Sequence, residues 1–230
     1  MPVLLLRACH PRQAVLTAAG MAVAAAVSGR AAREVGLVLA TVLVGQAVLG
    51  WDNDLVDEKA DRAAQRTDKP LATGALERGT VGFVLACAVL LLVPLSLSSG
   101  ITAGLAYLLS VVVGLAGNRW LRDGVLSWLP WAVSFALYPA YLSYGGWGGG
   151  AEGSPPTVAM TAVAALLGVG VHVLTSLRGL VDDHQAGRRH LPLRLALRVG
   201  APRLLVLAIV FCVVVAAVAG LVGSTVGLSQ

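Results

Sequence analysis

The sequence predicts an all-α, polytopic transmembrane helical bundle, and three observations carry the prediction. The 230 residues are 57% hydrophobic and only 13% charged, too little polar surface for a water-soluble chain of this length. Apolar runs near the ~20 residues that a spanning helix needs recur from end to end. The charges gather in the segments between those runs, mostly on one side. Lipid gives a free backbone amide no partner, so each run is helical.

Seven spans follow in order. The first, roughly 13–29, is preceded by Arg7 and Arg12 and ends in AAAVSGRAA. That pattern also resembles a secretory signal, but losing this helix would strip the bundle of a wall, so it is read as a span. The second, roughly 35–51, stops at Trp51, where charge begins. The third and fourth, roughly 79–97 and 101–117, are separated by the short SLSSG segment. The fifth, roughly 125–145, contains Pro130 and Pro139, expected as kinks because neighbouring helices can re-satisfy the freed carbonyls. GGWGGGAEGSPP (145–156) follows, a linker in which neither helix nor strand persists. The sixth, roughly 157–177, carries His172, Thr175 and Ser176, polar groups expected to satisfy their neighbours. The seventh is roughly 203–223. The chain is read as one transmembrane domain, 1–230.

Orientation comes from the basic residues. Fifteen of the seventeen lie in the N-terminal segment and after spans two, four and six; Arg30 and Arg33 lie on the other side. The N-terminus and those loops are therefore expected in the cytosol, with the chain in the cell membrane. The net charge of +5 is explained by anchoring to anionic membrane lipids, with no nucleic acid needed. Cys9, Cys87 and Cys212 form no Cys-x-x-Cys pair and suggest neither a zinc site nor a disulfide framework.

Two of the cytosolic loops, 52–78 and 178–202, are long and mix acids with bases. They stand about half a chain apart and hint at a duplicated helix–polar-loop unit. The first begins WDNDLVDEKADRA, with seven charged side chains between Asp52 and Ala63. If span two continues as a helix, Asn53, Asp54, Asp57 and Asp61 fall within roughly 100° of arc on one face. Carboxylates crowded there repel unless a cation sits among them. Oxygen donors that leave room for water suit magnesium, which binds through one or two carboxylates plus substrate phosphates. The bland reading is a solvated acidic face neutralised by Lys59, Arg62 and Arg66.

NDLVDEKAD followed by RTDKPLATG (66–74) resembles the first signature of the UbiA-type intramembrane prenyltransferases, Asn-Asp-x-x-Asp-x-x-x-Asp and then Arg-Thr-x-(Arg/Lys)-Pro-Leu-x-x-Gly. Lys69 stands where arginine is commoner. The family's second motif, Asp-x-x-x-Asp-x-x-x-Gly with a basic stretch and Leu-Pro, is similar to GLVDDHQAGRRHLPLR, from Gly179 to Arg194. There Asp183, Gly187, Arg188, Arg189, Leu191, Pro192 and Arg194 fall into place, while Gly179 occupies the first aspartate's position. Asp182 lies about 100° from Asp183 on a helix and substitutes only if that helix is distorted. A third element, Tyr-x-x-x-Lys after the fourth span, is replaced by Leu115 and Arg119. Arg119 either contacts diphosphate in the lysine's place or, with Arg122, flanks a helix end as a membrane anchor.

The resemblance implies a horseshoe of nine helices around a central cavity, of which seven are read here, so the last two are expected to be lacking. It implies that a prenyl group moves from an allylic diphosphate to an aromatic, quinoid or other lipophilic acceptor, with Mg2+ as cofactor. Asp54, Asp57, Asp61 and Asp183 would be catalytic and, with Asn53, would hold the metal. Asn53, Arg66, Lys69, Arg119 and Arg188 would bind the substrate. Aromatic residues of the fifth span, Trp128, Trp131, Phe135, Tyr138 and Tyr141, would shield the carbocation or simply pack. Two rivals stay open: a UbiA-like terpene cyclase that quenches the cation internally, and a non-catalytic diphosphate or divalent-ion binding membrane protein.

Overall fold

In the computed structural model, residues 1–146 and 153–226 are described, with the side chains of 224–226 excepted. The helices are α1 (Pro2–Ala8), α2 (Pro11–Val27), α3 (Ala32–Ala63), α4 (Arg78–Leu97), α5 (Ile101–Ala116), α6 (Leu129–Ala136), α7 (Tyr138–Ser143), α8 (Val158–Ser176), α9 (Leu180–Gln185), α10 (Leu191–Val199) and α11 (Ala201–Val226). A π turn, Gly117–Leu121, extends α5; 3-10 turns Val125–Trp128 and Leu177–Gly179 lead into α6 and join α8 to α9. No strand occurs among the described residues.

Among the described residues, six helical segments are long and apolar enough to cross a membrane: Ala32–Ala63, Arg78–Leu97, Ile101–Leu121, Val125–Ser143, Val158–Gln185 and Ala201–Gly223. The remaining expected span is α2, whose 17 residues reach about 26 Å by helical rise. Large apolar side chains such as Phe83, Leu90, Val206 and Leu221 are exposed on α4 and α11, as expected of helices whose outer faces meet lipid. The chain is a multi-pass membrane protein. Of the Gly-rich linker, 147–152 lies outside the described residues, and 153–157 is neither helix nor strand.

α3 does most to position the site. At 32 residues it is about 48 Å long, well beyond a hydrocarbon core of about 30 Å. Its last turns therefore project past the apolar slab as a helix, and the acidic stretch rides on them. The 52–78 segment is thus helix as far as Ala63, and Gln65, at φ 54°, ends it. α9 does the same for the second acidic stretch.

The fifth span is an irregular helix. Val125–Trp128 is a 3-10 turn, and the helix is interrupted at Leu137 between α6 and α7. Pro139 has no N–H to continue the ladder, which interrupts the hydrogen bonding where a kink was expected, while Leu137 keeps helical dihedrals. Pro94, by contrast, is accommodated within α4.

Two close approaches need glycine. A Cβ on Gly50 would lie 2.9 Å from Cys9 Cα, so α3 meets the end of α1 backbone to backbone. A Cβ on Gly168 would lie 2.8 Å from Phe135 Cβ, which seats α8 against α6. The main core, with Val42, Val48, Leu92, Tyr107 and Tyr141, lies among α3, α4, α5 and α7. A smaller cluster of Ala8, Leu71, Leu76 and Val81 ties α1 to the segment after α3.

Candidate active site

A cavity of ≈ 310 Å³ opens among α2, α3, the π turn, α6, α8 and the segment after α9. Asn53, Asp57, Arg122, Asp183 and Arg188 stand at its polar mouth, and Gln46, Trp131, Phe135, Tyr138 and His172 are also on its wall. The two acidic stretches meet there. Arg188 Nη2 is 3.2 Å from Asp57 Oδ1, and Arg188 Nη1 is 3.1 Å from Asp183 Oδ1. Arg122 Nη1 also donates to Asp57 Oδ1, and Asn53 Nδ2 donates to Asp57 Oδ2 at 3.1 Å. Burial alone would lower the Arg188 pKa, but the charges of Asp57, Asp183 and Asp123 outweigh it and raise it.

A second bridge lies outside the cavity. Arg66 Nη1 donates to Asp182 Oδ2 at 2.8 Å, while its Nε and Nη2 grip Asp68 in a fork, each at 2.8 Å. The hydrogen bonds from Arg66 pull Asp68 down to about 2. The helix is locally distorted before Asp182, by the 3-10 turn, yet Asp182 faces Arg66 and Asp183 faces the cavity. Asp182 is not on the wall of the cavity, where Gly179 and Asp183 are.

The other expected residues are placed as follows. Asp54 is 1% exposed; its Oδ1 binds Lys69 Nζ at 2.5 Å and His10 Nε2 at 2.9 Å, and its Oδ2 is buried without a hydrogen-bond partner. Asp54, Lys69 and His10 thus form a cluster beside the cavity, of which only His10 is on its wall. Asp61 lies in the field of Lys69 and Arg66 but makes no ion pair among the described residues. Arg119 is turned away: its guanidinium grips Asp52 in a fork, and Asn118 Nδ2 donates to the same carboxylate at 3.1 Å. Of the fifth-span aromatics, Trp131, Phe135 and Tyr138 line the cavity, whereas Tyr141 packs in the core, 4.9 Å from the Tyr107 ring centroid; Trp128 is not on the wall.

Several groups at the site have no signature in the sequence. The π turn inserts extra residues into the helical repeat, which directs Arg119 to Asp52 and Arg122 to the cavity. His10, at φ 56°, sits between α1 and α2 as a lone histidine. His190 is 4% exposed; its Nδ1 accepts the Leu193 N–H at 3.2 Å, so its proton is on Nε2, which donates to Asp183 Oδ2 at 2.9 Å. This hydrogen bond orients the carboxylate.

Among the described residues, no three His, Cys, Asp or Glu side chains are clustered so as to hold a metal ion by themselves. The constellation combines paired carboxylates and two guanidiniums at the mouth of a largely apolar space. The sequence profile of the UbiA prenyltransferase family matches residues 14–229. The chain belongs to that family, and it is a prenyltransferase by that membership.

Known UbiA structures share the fold. A UbiA homolog from Archaeoglobus fulgidus bound to GPP and Mg2+ is 17% identical, with a TM-score of 0.70 over 94% of this chain and 76% of that one. The same homolog bound to Cd2+ gives 0.71, 17% identity, and 98% and 81% coverage. A structure of digeranylgeranylglyceryl phosphate synthase gives 0.60, 17% identity, and 90% and 75% coverage. Among curated proteins, no sequence matches the chain.

Proposed function

We propose that this UbiA family member transfers a prenyl group from an allylic diphosphate to an aromatic, quinoid or other lipophilic acceptor within the membrane. The observation that carries the reading is the convergence of Asp57 and Asp183, from separate acidic stretches, with Arg122 and Arg188 at the mouth of the cavity. Two guanidiniums held at carboxylates suit a ligand that brings both phosphate oxygens and a cation.

The donor set fits magnesium. Asp57, Asp183 and Asn53 supply oxygens, and a diphosphate completes a shell that the protein leaves open. Asp54 adds an orphaned buried oxygen, Oδ2, and with Asp61 it belongs to the same acidic face. Bound there, the metal supplies Lewis-acid neutralisation of phosphate charge. Arg122 and Arg188 stabilise the negative charge that grows on the departing diphosphate as its bond to the allylic carbon breaks. Their forks match phosphate oxygens in pairs. Trp131, Phe135 and Tyr138 present π faces to the allylic cation and keep water from it. The acceptor then bonds to the allylic carbon and releases a proton.

The test incubates membranes with magnesium and radiolabelled geranyl diphosphate, with and without a phenolic or quinoid acceptor. Acceptor-dependent prenylated product supports transfer. Acceptor-independent hydrocarbon identifies a cyclase, and unchanged diphosphate identifies a non-catalytic binder; either overturns the reading.

We also place the acidic mouth on the cytosolic side of the cell membrane, because fifteen of seventeen basic residues flank it or share its side in the sequence. Cysteines introduced at the exposed positions Ala63 and Ala186 then label from the cytosolic side of oriented vesicles; labelling from the opposite side refutes it.

A further inference from the structure

Three histidines line the cavity, and two are committed to carboxylates: His10 to Asp54 and His190 to Asp183. His172 is not. Its Nε2 lies 3.0 Å from Ser127 Oγ, and that oxygen already accepts the Leu191 N–H at 3.2 Å. Ser127 is only 2% exposed, and among the described residues His172 Nε2 is the one acceptor placed for its hydroxyl proton. A hydroxyl buried this deeply uses its proton rather than leaving it unmade, so Ser127 donates to Nε2. A neutral imidazole carries one proton, which therefore sits on Nδ1. Nδ1 itself makes no hydrogen bond among the described residues, is not fully enclosed, and belongs to a side chain on the cavity wall. The result is a single N–H, held in a fixed tautomer, offered to whatever occupies that space.

The surroundings narrow what that is. The ring of Trp131 lies 5.5 Å from that of His172 between centroids, tilted by 30°, and Phe135 continues the aromatic wall at 6.5 Å from Trp131. A prenyl tail has no atom that accepts a hydrogen bond. A diphosphate finds Arg122 and Arg188 at the mouth, whereas His172 belongs to α8, one helix before Asp183 of α9, and is tied through Ser127 Oγ to the Leu191 N–H rather than to a carboxylate or guanidinium. We infer that His172 Nδ1–H binds an oxygen, carbonyl or phenolic, of the second substrate, whose planar ring lies against Trp131. The inference rests on the proposed transfer reaction and deepens it by making His172 the residue that selects the acceptor.

The test is equilibrium binding to the purified full-length protein in detergent, using 1,4-naphthoquinone, naphthalene, and geranyl diphosphate with magnesium. His172→Phe keeps a ring but removes the donor. It is expected to weaken naphthoquinone about tenfold, the size of one neutral hydrogen bond, and to bind naphthalene and geranyl diphosphate as the native protein does. Ser127→Ala keeps the imidazole but frees either nitrogen to carry the proton, and weakens naphthoquinone by about twofold. Unchanged naphthoquinone affinity in both variants overturns the inference. So does an equal loss for naphthalene, which signals lost shape, or a loss confined to geranyl diphosphate, which assigns His172 to the donor substrate. Failure of the proposed reaction is read separately, since the native protein then binds no geranyl diphosphate with magnesium, or releases no acceptor-dependent product.

Discussion

Asp57 of α3 and Asp183 of α9 are held by a single guanidinium, that of Arg188, whose two terminal nitrogens lie 3.2 Å and 3.1 Å from one oxygen of each. The contact joins the two acidic stretches into one site. On the proposed function, a diphosphate bound with a cation would draw this guanidinium from the carboxylates to the phosphate. Arg188→Ala is expected to lower the rate of pyrophosphate release roughly 10²-fold, as when one charge-stabilising donor is removed from an active site. Arg188→Lys recovers only part, because an ammonium lacks the planar fork. Arg189→Ala, one residue on and exposed, leaves the rate near the native value. Equal effects at both positions would mean that only the general positive charge of this loop matters.

Asp52 behaves differently from its neighbours. On helical geometry alone it points away from the acidic face, and its loss is expected to be silent. In the structure it is 1% exposed and accepts from Asn118 and from both terminal nitrogens of Arg119. Asp52→Ala removes those hydrogen bonds, while Arg119 keeps Leu115 O and solvent and Asn118 keeps Leu49 O, so the cost is about 1 kcal/mol of stability. Because it also loosens the π turn that carries Arg122, the Km for geranyl diphosphate rises modestly. Thermal unfolding in detergent checks the first effect and steady-state kinetics the second. An unchanged melting temperature would mean that the Asp52–Arg119 fork contributes nothing.

How much of this was legible depended on whether a feature was periodic. The spanning helices announce themselves by apolar length. The continuation of α3 through Asn53, Asp57 and Asp61 is visible because spacings of three and four are helical spacings. Asp183 and Arg188 are visible because the second motif matches the family pattern around them. Arg122 is not singled out, since a π turn leaves no periodic trace and Arg119 occupies the expected position. His10 and His190 are single residues whose importance comes from what the fold brings beside them. The irregularity at Leu137 is visible in Pro139, whose missing N–H marks the place.

Gly179 leaves the second motif one carboxylate short. A Cβ built there lies 3.3 Å from Asp183 Oδ2, so Gly179→Asp sets a second acid directly beside the first. Its φ of −103° imposes no left-handed strain on a side chain. Without metal the two carboxylates repel by a few tenths of a kcal/mol, roughly; a cation between them reverses the sign. The magnesium concentration for half-maximal turnover is expected to fall in this variant. A raised or unchanged requirement would show that the ion is held from the α3 side alone.

The Arg66–Asp68 fork predicts a narrow acid sensitivity. Asp68 titrates at about 2 in the folded protein against an ordinary 3.8. A carboxylate with a depressed folded pKa contributes stability above its unfolded value and loses it as pH falls through the folded one. The contribution is complete above about pH 4 and gone below about pH 2. Asp68 is 60% exposed, so solvent screening keeps it small. Asp68→Asn is expected to flatten the decline of melting temperature between pH 4 and pH 2 slightly, with little effect at neutral pH. Identical slopes would show that the fork is too solvated to matter.

The central claim is that Asp57 and Asp183 act together, through one cation, on a diphosphate. It is tested most directly by measuring geranyl diphosphate affinity for the native protein, Asp57→Asn, Asp183→Asn and the double variant, each with magnesium and with chelator. With magnesium, each single change is expected to weaken binding about 10- to 100-fold, and the double change by less than the product, because both lose the same ion. With chelator the sign reverses: removing a carboxylate frees Arg122 or Arg188 for phosphate, and the variants bind at least as tightly as the native protein. Losses of the same size with and without magnesium, or affinities unchanged by either substitution, would contradict a shared metal–diphosphate site.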